Sequence, residues 1–272
     1  MAIKLIALDL DGTLLSSDHL TVSDINLRAI EAAIERGIQV VLATGRTLYD
    51  IPQELRAHPG IRYAVTSNGA ALIDLTEDRG LFSSSIPTET AMAVIGAAKT
   101  GNVYTEVYSD GKAYIDRSLR SGSLEESLLF LLFKLLPQRH ETEDLTDFLS
   151  RHRDPVEKIE LLTDDADEAA ALAERLCALP VTVTTSGMNS VEVTNRNTCK
   201  ARALEHLCGL LEIDAADVMA VGDSMNDAEM LAWAGISVAV ENADEDLKKI
   251  ADFMTDSNDL GGVASAIERF TK

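Results

Sequence analysis

Cysteine is scarce: Cys177, Cys199 and Cys208 are the only three, and no two of them form a C-x-x-C pair. A disulfide framework is therefore not expected, and a reducing, cytoplasmic setting is. Basic residues are also few, with 24 Lys and Arg against 45 Asp and Glu and a net charge of −21. Nucleic acid is not an expected partner, because phosphate backbones are bound by clustered Lys and Arg. Long apolar runs are missing. The greasiest stretch, Leu128 to Phe133, meets Lys134 far short of the roughly 20 apolar residues that cross a bilayer, and the first apolar run reaches Asp9 too soon for a signal peptide. Neither membrane insertion nor secretion is expected. The five histidines, His19, His58, His140, His152 and His206, show no H-E-x-x-H pattern, which argues against zinc and leaves each with an ordinary structural reading.

What is present is a chain of 272 residues, 46% hydrophobic, long enough to bury its own core as one large domain or two smaller ones. The first third alternates strand and helix signals: Ile3 to Leu8, a helical spacing over Ser23 to Glu35, Ile38 to Ala43, a short helix over Leu48 to His58, and Tyr63 to Thr66. The last quarter resumes that rhythm from Ala201, with strands at Val218 to Val221 and Ile236 to Val240. Repeated strand–helix–strand order predicts a Rossmann-like, doubly wound α/β core around a parallel sheet. The middle differs. A hairpin turns at Ser109-Asp110-Gly111, an apolar helix is predicted over Leu124 to Leu136, a strand at Lys158 to Leu162, a helix at Asp167 to Ala178, and two β runs at Val181 to Thr185 and Val191 to Thr194. The expected organisation is a core of residues 1–85 and 195–272 with an α+β unit inserted at 86–194.

Four polar signals follow apolar strands or precede a helix, where an open parallel sheet collects ligand groups. Asp9-Leu10-Asp11-Gly12-Thr13 puts two carboxylates at the end of a buried strand, where an ionised group is costly unless paired. Thr44-Gly45-Arg46 offers a hydroxyl and an accessible N–H ahead of a helix, a cradle for a phosphoryl oxygen or a plain turn with a solvated Arg. Lys200, before a helix, reads alone as a solvated lysine. Gly222-Asp223-Ser224-Met225-Asn226-Asp227 crowds three oxygen-bearing side chains into one loop, a chemistry that suits Mg²⁺. In so acidic a chain, an anionic ligand needs such a local positive device.

With these motifs in this order, and with Ser67-Asn68-Gly69-Ala70 and Glu241-Asn242-Ala243 after further strands, the chain resembles the haloacid dehalogenase-like phosphohydrolases, specifically the Cof-type group with an inserted α/β cap. It departs from the family pattern at Ala201, where glycine is common, and at Leu260-Gly261-Gly262-Val263. The resemblance implies that Asp9 is the nucleophile and forms an aspartyl-phosphate. Asp11 is implied to be the acid and base, a task suited to a carboxyl raised by neighbouring negative charge. Mg²⁺ is implied to sit on the Asp9 side chain, the Asp11 carbonyl and the Asp223 side chain. Thr44, Gly45, Lys200, the Leu10 main chain and Asn226 are implied to hold the transferring oxygens, with Asp227 orienting Lys200 or a water behind them, and Arg46 and Asn68 near the leaving group.

The function this implies is hydrolysis of small phosphomonoesters, sugar phosphates or related metabolites, by a monomer or homodimer. A sugar phosphomutase or phosphotransferase, and a phospho-ligand sensor, are the alternatives. The inserted segment is expected to set specificity but offers few clues. Tyr104, Tyr108 and Tyr114 either stack on a ring or pack across strands, and the Leu124 to Leu136 helix either packs on the cap or forms a dimer surface. Cys199 reads as a redox-sensitive thiol or a small buried filler, and Trp233 as core.

Overall fold

The computed structural model describes residues 2–99, 103–116, 139–152, 154–163, 165–186 and 189–271; the helix expected over Leu124 to Leu136 lies outside them. In chain order the strands are β1 (Leu5–Leu8), β2 (Gln39–Ala43), β3 (Tyr63–Thr66), β4 (Ala71–Asp74), β5 (Arg79–Ser83), β6 (Tyr104–Ser109), β7 (Lys112–Asp116), β8 (Arg139–Thr142), β9 (Val156–Leu162), β10 (Val181–Ser186), β11 (Ser190–Asn195), β12 (Val218–Gly222), β13 (Ile236–Ala239) and β14 (Phe253–Met254). The helices are α1 (Asp24–Glu35), α2 (Gln53–Arg56), α3 (Thr88–Ala98), α4 (Leu145–Arg151), α5 (Ala166–Leu176), α6 (Lys200–Leu211), α7 (Ala228–Trp233), α8 (Glu245–Ile250) and α9 (Gly262–Phe270). The chain divides into two compact units, one of Met1–Arg46, Ile51–Phe82 and Cys199–Lys272, the other of Thr47–Asp50 and Ser83–Thr198.

The first unit is built on one sheet ordered β14-β13-β12-β1-β2-β3-β4-β5. From β14 to β3 neighbouring strands run parallel, and β1 is buried along its whole length, as a strand covered on both faces should be. The chain lays β2 and β3 on one side of β1 and returns to lay β12, β13 and β14 on the other. The carboxyl ends of β1 and β12 therefore flank the switch point where doubly wound sheets bind ligands. Ser23 caps α1 by accepting a hydrogen bond from the Asn26 N–H, and the helix buries Ala29, Ile30 and Ala33. Asn26 in turn accepts from the Ala264 N–H of α9 at 3.0 Å.

The expected parallel core stands, with one addition, since β4 extends it antiparallel to β3, and two sequence expectations are corrected. Asp74 closes the turn after β4 by accepting from the N–H groups of Thr76 and Glu77. The helix expected from Leu48 to His58 is a 3₁₀ turn over Leu48–Asp50 followed by α2, since Pro52 bars a continuous helix. Trp233 is only half-buried.

The second unit carries a sheet ordered β10-β11-β9-β6-β7-β8, antiparallel except for the β7–β8 pair. Alternation along its strands divides the side chains between two faces. One face sends Val107, Ile159, Leu161, Val191 and Val193 against apolar residues of α3, α4 and α5. The other is polar and also buried. There the Lys158 ammonium lies 2.7 Å from Glu192 and 3.3 Å from Glu160, and 4.5 Å from the Tyr108 ring centre. Tyr104 and Tyr108 donate to Glu106 and Glu160, while Tyr114 packs on the helical side against Phe148 at 4.5 Å between ring centres. These tyrosines serve cross-strand packing and hydrogen bonding. Arg139 joins Glu106 at 2.7 Å to Asp50 at 3.1 Å, all three side chains 2% exposed. Among the described residues no helix is long and apolar enough to cross a membrane.

Burial alone would discharge Lys158, but Glu160 and Glu192 more than offset that cost and keep it protonated. Lys158→Met removes the ammonium that both buried carboxylates share and is expected to cost about 3–5 kcal/mol, read as a lowered midpoint in thermal or urea unfolding.

Candidate active site

The site lies within the first unit, at the carboxyl ends of β1, β2 and β12. Asp9 directly follows β1, is 4% exposed, and donates its N–H to the Val221 carbonyl of β12 at 3.1 Å. After it the chain makes a tight turn over Leu10–Leu14 in which Gly12 adopts φ +75°. A Cβ at position 12 would collide with the Asp223 carboxylate, so glycine serves both the left-handed turn and the close approach. Asn242 holds this turn by donating to the Gly12 carbonyl at 2.7 Å, and Thr13 donates its hydroxyl to Asp223 Oδ1 at 3.0 Å.

Lys200, the first residue of α6, is fully buried. Its Nζ donates to Asp9 Oδ1 and to Asp227 Oδ1, each at 2.6 Å. The other oxygen of Asp227 accepts from the N–H groups of Asp223 and Ser224 at 3.1 and 3.3 Å, so the loop after β12 is wrapped around this carboxylate. The start of α6 sits hard against the turn after β3. Gly69 there has φ +95°, and a Cβ on it would strike the Cys199 carbonyl. The Cys199 thiol is pushed up, chiefly by burial, which removes the basis for a reactive thiolate at this position.

Carboxylate oxygens of Asp9, Asp223 and Asp227 lie within 4.8 Å of one another. Three acids and one lysine leave the cluster two negative charges in excess when all are ionised. Burial, opposed by Lys200 and reinforced by Asp227 and Asp223, pushes Asp9 well above the usual carboxylate range. Burial and then Asp227 push Asp223 up to about 7. Lys200 is held charged: burial acts to discharge it, and Asp227 and Asp9 outweigh that. Asp9 and Asp223, both reluctant to ionise, with oxygens this close to one another and to Asp227, suit a hard divalent cation.

Asp11 is the opposite case and corrects the expectation of a raised carboxyl. Burial acts to raise it, but hydrogen bonds from Arg46 and His19, reinforced by their charges, hold it well below the usual range. Arg46 donates through Nε to Asp11 Oδ2 at 2.7 Å and through Nη2 to Asp11 Oδ1 at 2.5 Å and to the His19 carbonyl at 2.7 Å. Arg46 is thus not a solvated turn residue: it is buried against Asp11. His19, given an ordinary reading from sequence, puts Nδ1 3.0 Å from Asp11 Oδ1.

The remaining motif residues are tied into the turns that follow the strands. Thr44 is buried, its hydroxyl accepts from the Arg46 N–H at 3.1 Å, and its carbonyl accepts from the Asn68 N–H at 3.1 Å. Gly45 lies against Asn68 Oδ1, which also accepts from the Asn226 amide at 3.2 Å. Leu10 is fully buried and its carbonyl accepts from the Leu15 N–H. The fold therefore gathers Asp9, Lys200, Asp223 and Asp227 into one cluster, pairs Asp11 with Arg46, and sets Asn226 against Asn68. The sequence offered no cue to His19 beyond Asp18 and Thr21, turn-forming residues on either side of it.

The profile of the haloacid dehalogenase-like hydrolases matches residues 6–267. The phosphatase YwtE of Bacillus subtilis, named for 5-amino-6-(5-phospho-D-ribitylamino)uracil, is 31% identical over 285 residues, covering 98% of this chain and 97% of its own. A solved haloacid dehalogenase-like hydrolase from B. subtilis is 30% identical, with a TM-score of 0.85 over 98% of this chain and 99% of the other. The HAD subclass IIB sugar phosphatase BT4131 shares the fold, with a TM-score of 0.84 at 22% identity over 98% of each chain. The chain belongs to the haloacid dehalogenase-like hydrolases, in the Cof-type group with an inserted cap, and it is a phosphatase, a hydrolase of phosphate monoesters.

The raised Asp223 carboxyl has a consequence for stability. Its folded value of about 7 stands above the ordinary 3.8, so ionising it costs stability fully above pH 7, and the cost fades as pH falls from 7 towards 4. In the presence of a chelator, Asp223→Asn is expected to be more stable than the parent at pH 8, on the order of a few kcal/mol, with the gap narrowing by pH 5. Unfolding midpoints at the two pH values measure this.

Proposed function

We propose that the chain hydrolyses small phosphomonoesters, sugar phosphates or related metabolites, with Mg²⁺, through an aspartyl-phosphate on Asp9. The observation that carries this reading is the buried Asp9 carboxylate, fixed by Lys200 at 2.6 Å within a cluster of acids closer than 4.8 Å. A pure binding pocket for a phosphate dianion has no use for three carboxylates at its centre.

Asp9, the Asp11 carbonyl and Asp223 are the residues that would hold the ion. When bound, Mg²⁺ supplies the positive charge that lets a carboxylate approach a phosphate dianion. Lys200 fixes one oxygen of Asp9, so the carboxylate meets phosphorus in a set orientation. An Asp9 oxygen bonds to phosphorus as the bond from phosphorus to the ester oxygen breaks, and that leaving oxygen takes a proton from Asp11. Water then attacks the phosphorus of the aspartyl-phosphate and gives a proton to Asp11, releasing inorganic phosphate and restoring Asp9. The ionised Asp11 described above is the form the second half requires; for the first half it must carry a proton. The charge on the transferring oxygens is met by Lys200, the Thr44 hydroxyl, the N–H groups of Leu10 and Gly45, and the Asn226 amide. Asp227 holds Lys200 in place. The second unit is read as the cap that selects the leaving group.

Phosphate release is measured over a panel of phosphorylated sugars, polyols and nucleotide precursors, with and without Mg²⁺, and including the phosphoribityl uracil of the relative's name. Mg²⁺-dependent release is expected, abolished in Asp9→Asn and lowered roughly 10²–10³-fold in Lys200→Ala. Equal release by Asp9→Asn would sink the reading. Phosphoryl delivery only to an added sugar acceptor would make the protein a phosphotransferase or mutase, and tight binding with no turnover a sensor.

A further inference from the structure

Between Leu15 and Val22, which pair as an isolated antiparallel bridge, the chain makes a small hairpin whose geometry is written into its own side chains. The Ser16 N–H donates to the Thr21 carbonyl at 2.8 Å. The Asp18 carboxylate accepts from the N–H groups of Leu20 and Thr21 and from the Thr21 hydroxyl, at 2.8, 2.9 and 2.7 Å. Ser17 ties the hairpin to Asp259 through its N–H at 2.9 Å and through its hydroxyl. At the tip, His19 has φ +57°, a conformation a non-glycine residue adopts at some cost. That cost delivers two contacts: the imidazole Nδ1 reaches Asp11 Oδ1 at 3.0 Å, and the His19 carbonyl accepts from Arg46 Nη2 at 2.7 Å.

We infer that His19 is a positioning residue for the phosphatase reaction: the hairpin Ser16–Thr21 is a built arm that uses the His19 side chain to orient Asp11 and the His19 carbonyl to orient Arg46. This rests on the reading of Asp11 as the group that exchanges protons with the leaving oxygen and with water. The Arg46 fork grips both Asp11 oxygens from one side and fixes the carboxylate only as firmly as the guanidinium is itself fixed. A second donor from a different direction, mounted on a preformed turn, removes the remaining freedom at little entropic cost when substrate arrives. The arm acts on Asp11 and not on the substrate, so the effect belongs in turnover rather than in substrate binding.

The test separates the two contacts. Asn tolerates a positive φ and places an amide N–H close to where Nδ1 stands, so His19→Asn retains both. Gly keeps the backbone, and so the carbonyl, but has no donor. With the best substrate of the panel, His19→Gly is expected to lose roughly 10–100-fold in kcat with KM within about threefold, and His19→Asn to recover most of that loss. Parent-like kcat in His19→Gly, or a loss in His19→Asn as large as in His19→Gly, overturns the inference. The contact is also read without turnover, from the imidazole nitrogen resonances of His19 in the intact protein. They are expected to shift in Asp11→Ala, and their invariance overturns the contact. Absence of phosphate release by the parent protein would defeat the catalytic reading and with it the role of His19 in turnover, while a resonance shift would leave the contact standing as a fact of the fold.

Discussion

A single ammonium group, that of Lys200, holds the centre of this molecule together. It is fully enclosed and bridges carboxylates that follow two different strands. Taking such charges out of water is costly, and the cost is met only when geometry is tight and every remaining lone pair has a donor. That condition explains much of the surrounding architecture. Asp227 is wrapped by main-chain N–H groups of its own loop, Thr13 is committed to Asp223, and glycines stand at 12 and 69 because the neighbouring strands and helix start approach too closely for a side chain. The switch in strand order between β1 and β12 is what lets these separate stretches converge.

Two acids with a single residue between them are driven in opposite directions by this arrangement. Asp9 faces other acids in a dry setting and resists ionisation, whereas Asp11 faces a guanidinium and an imidazole and favours it. Environments that split chemically identical groups are how one site acquires distinct roles for each. The turn over Leu10–Leu14 makes the separation possible: it starts directly after Asp9 and so breaks the strand direction between the two acids.

The core α/β rhythm was legible because its strands are short apolar runs and α1 has a clear cap and periodicity. Asp9, Lys200, Asp223 and Asp227 were legible as a set only through the family resemblance, since Lys200 in its own context reads as any surface lysine. The antiparallel β4 was missed because its run of Ala71, Leu72 and Ile73 is brief and its closing signal is one Asp74 side chain bonding two N–H groups. His19 was missed for a different reason. The hairpin that carries it is local chemistry, but its placement over Asp11 depends on Asp259, 242 residues along the chain from Ser17, and tertiary contacts of that range leave no periodic trace. Arg46 was legible only as a set of alternatives, because a long side chain on a turn has several places to go, and only the fold shows that it goes to Asp11.

The membership of Thr47–Asp50 in the second unit, tied there by Arg139 and by the Tyr49 N–H on the Gly111 carbonyl at 3.2 Å, bears on how such a chain can be taken apart. The stretch from Ser83 to Thr198 looks like a module that evolution or an engineer could lift out and graft elsewhere, yet excision leaves Asp50 behind. Arg139 would travel with Glu106 but without its other acid, in an interior that tolerates no loose charge. Moving this unit into another host therefore has to carry along four residues from a separate stretch of the chain, or replace the guanidinium that expects them.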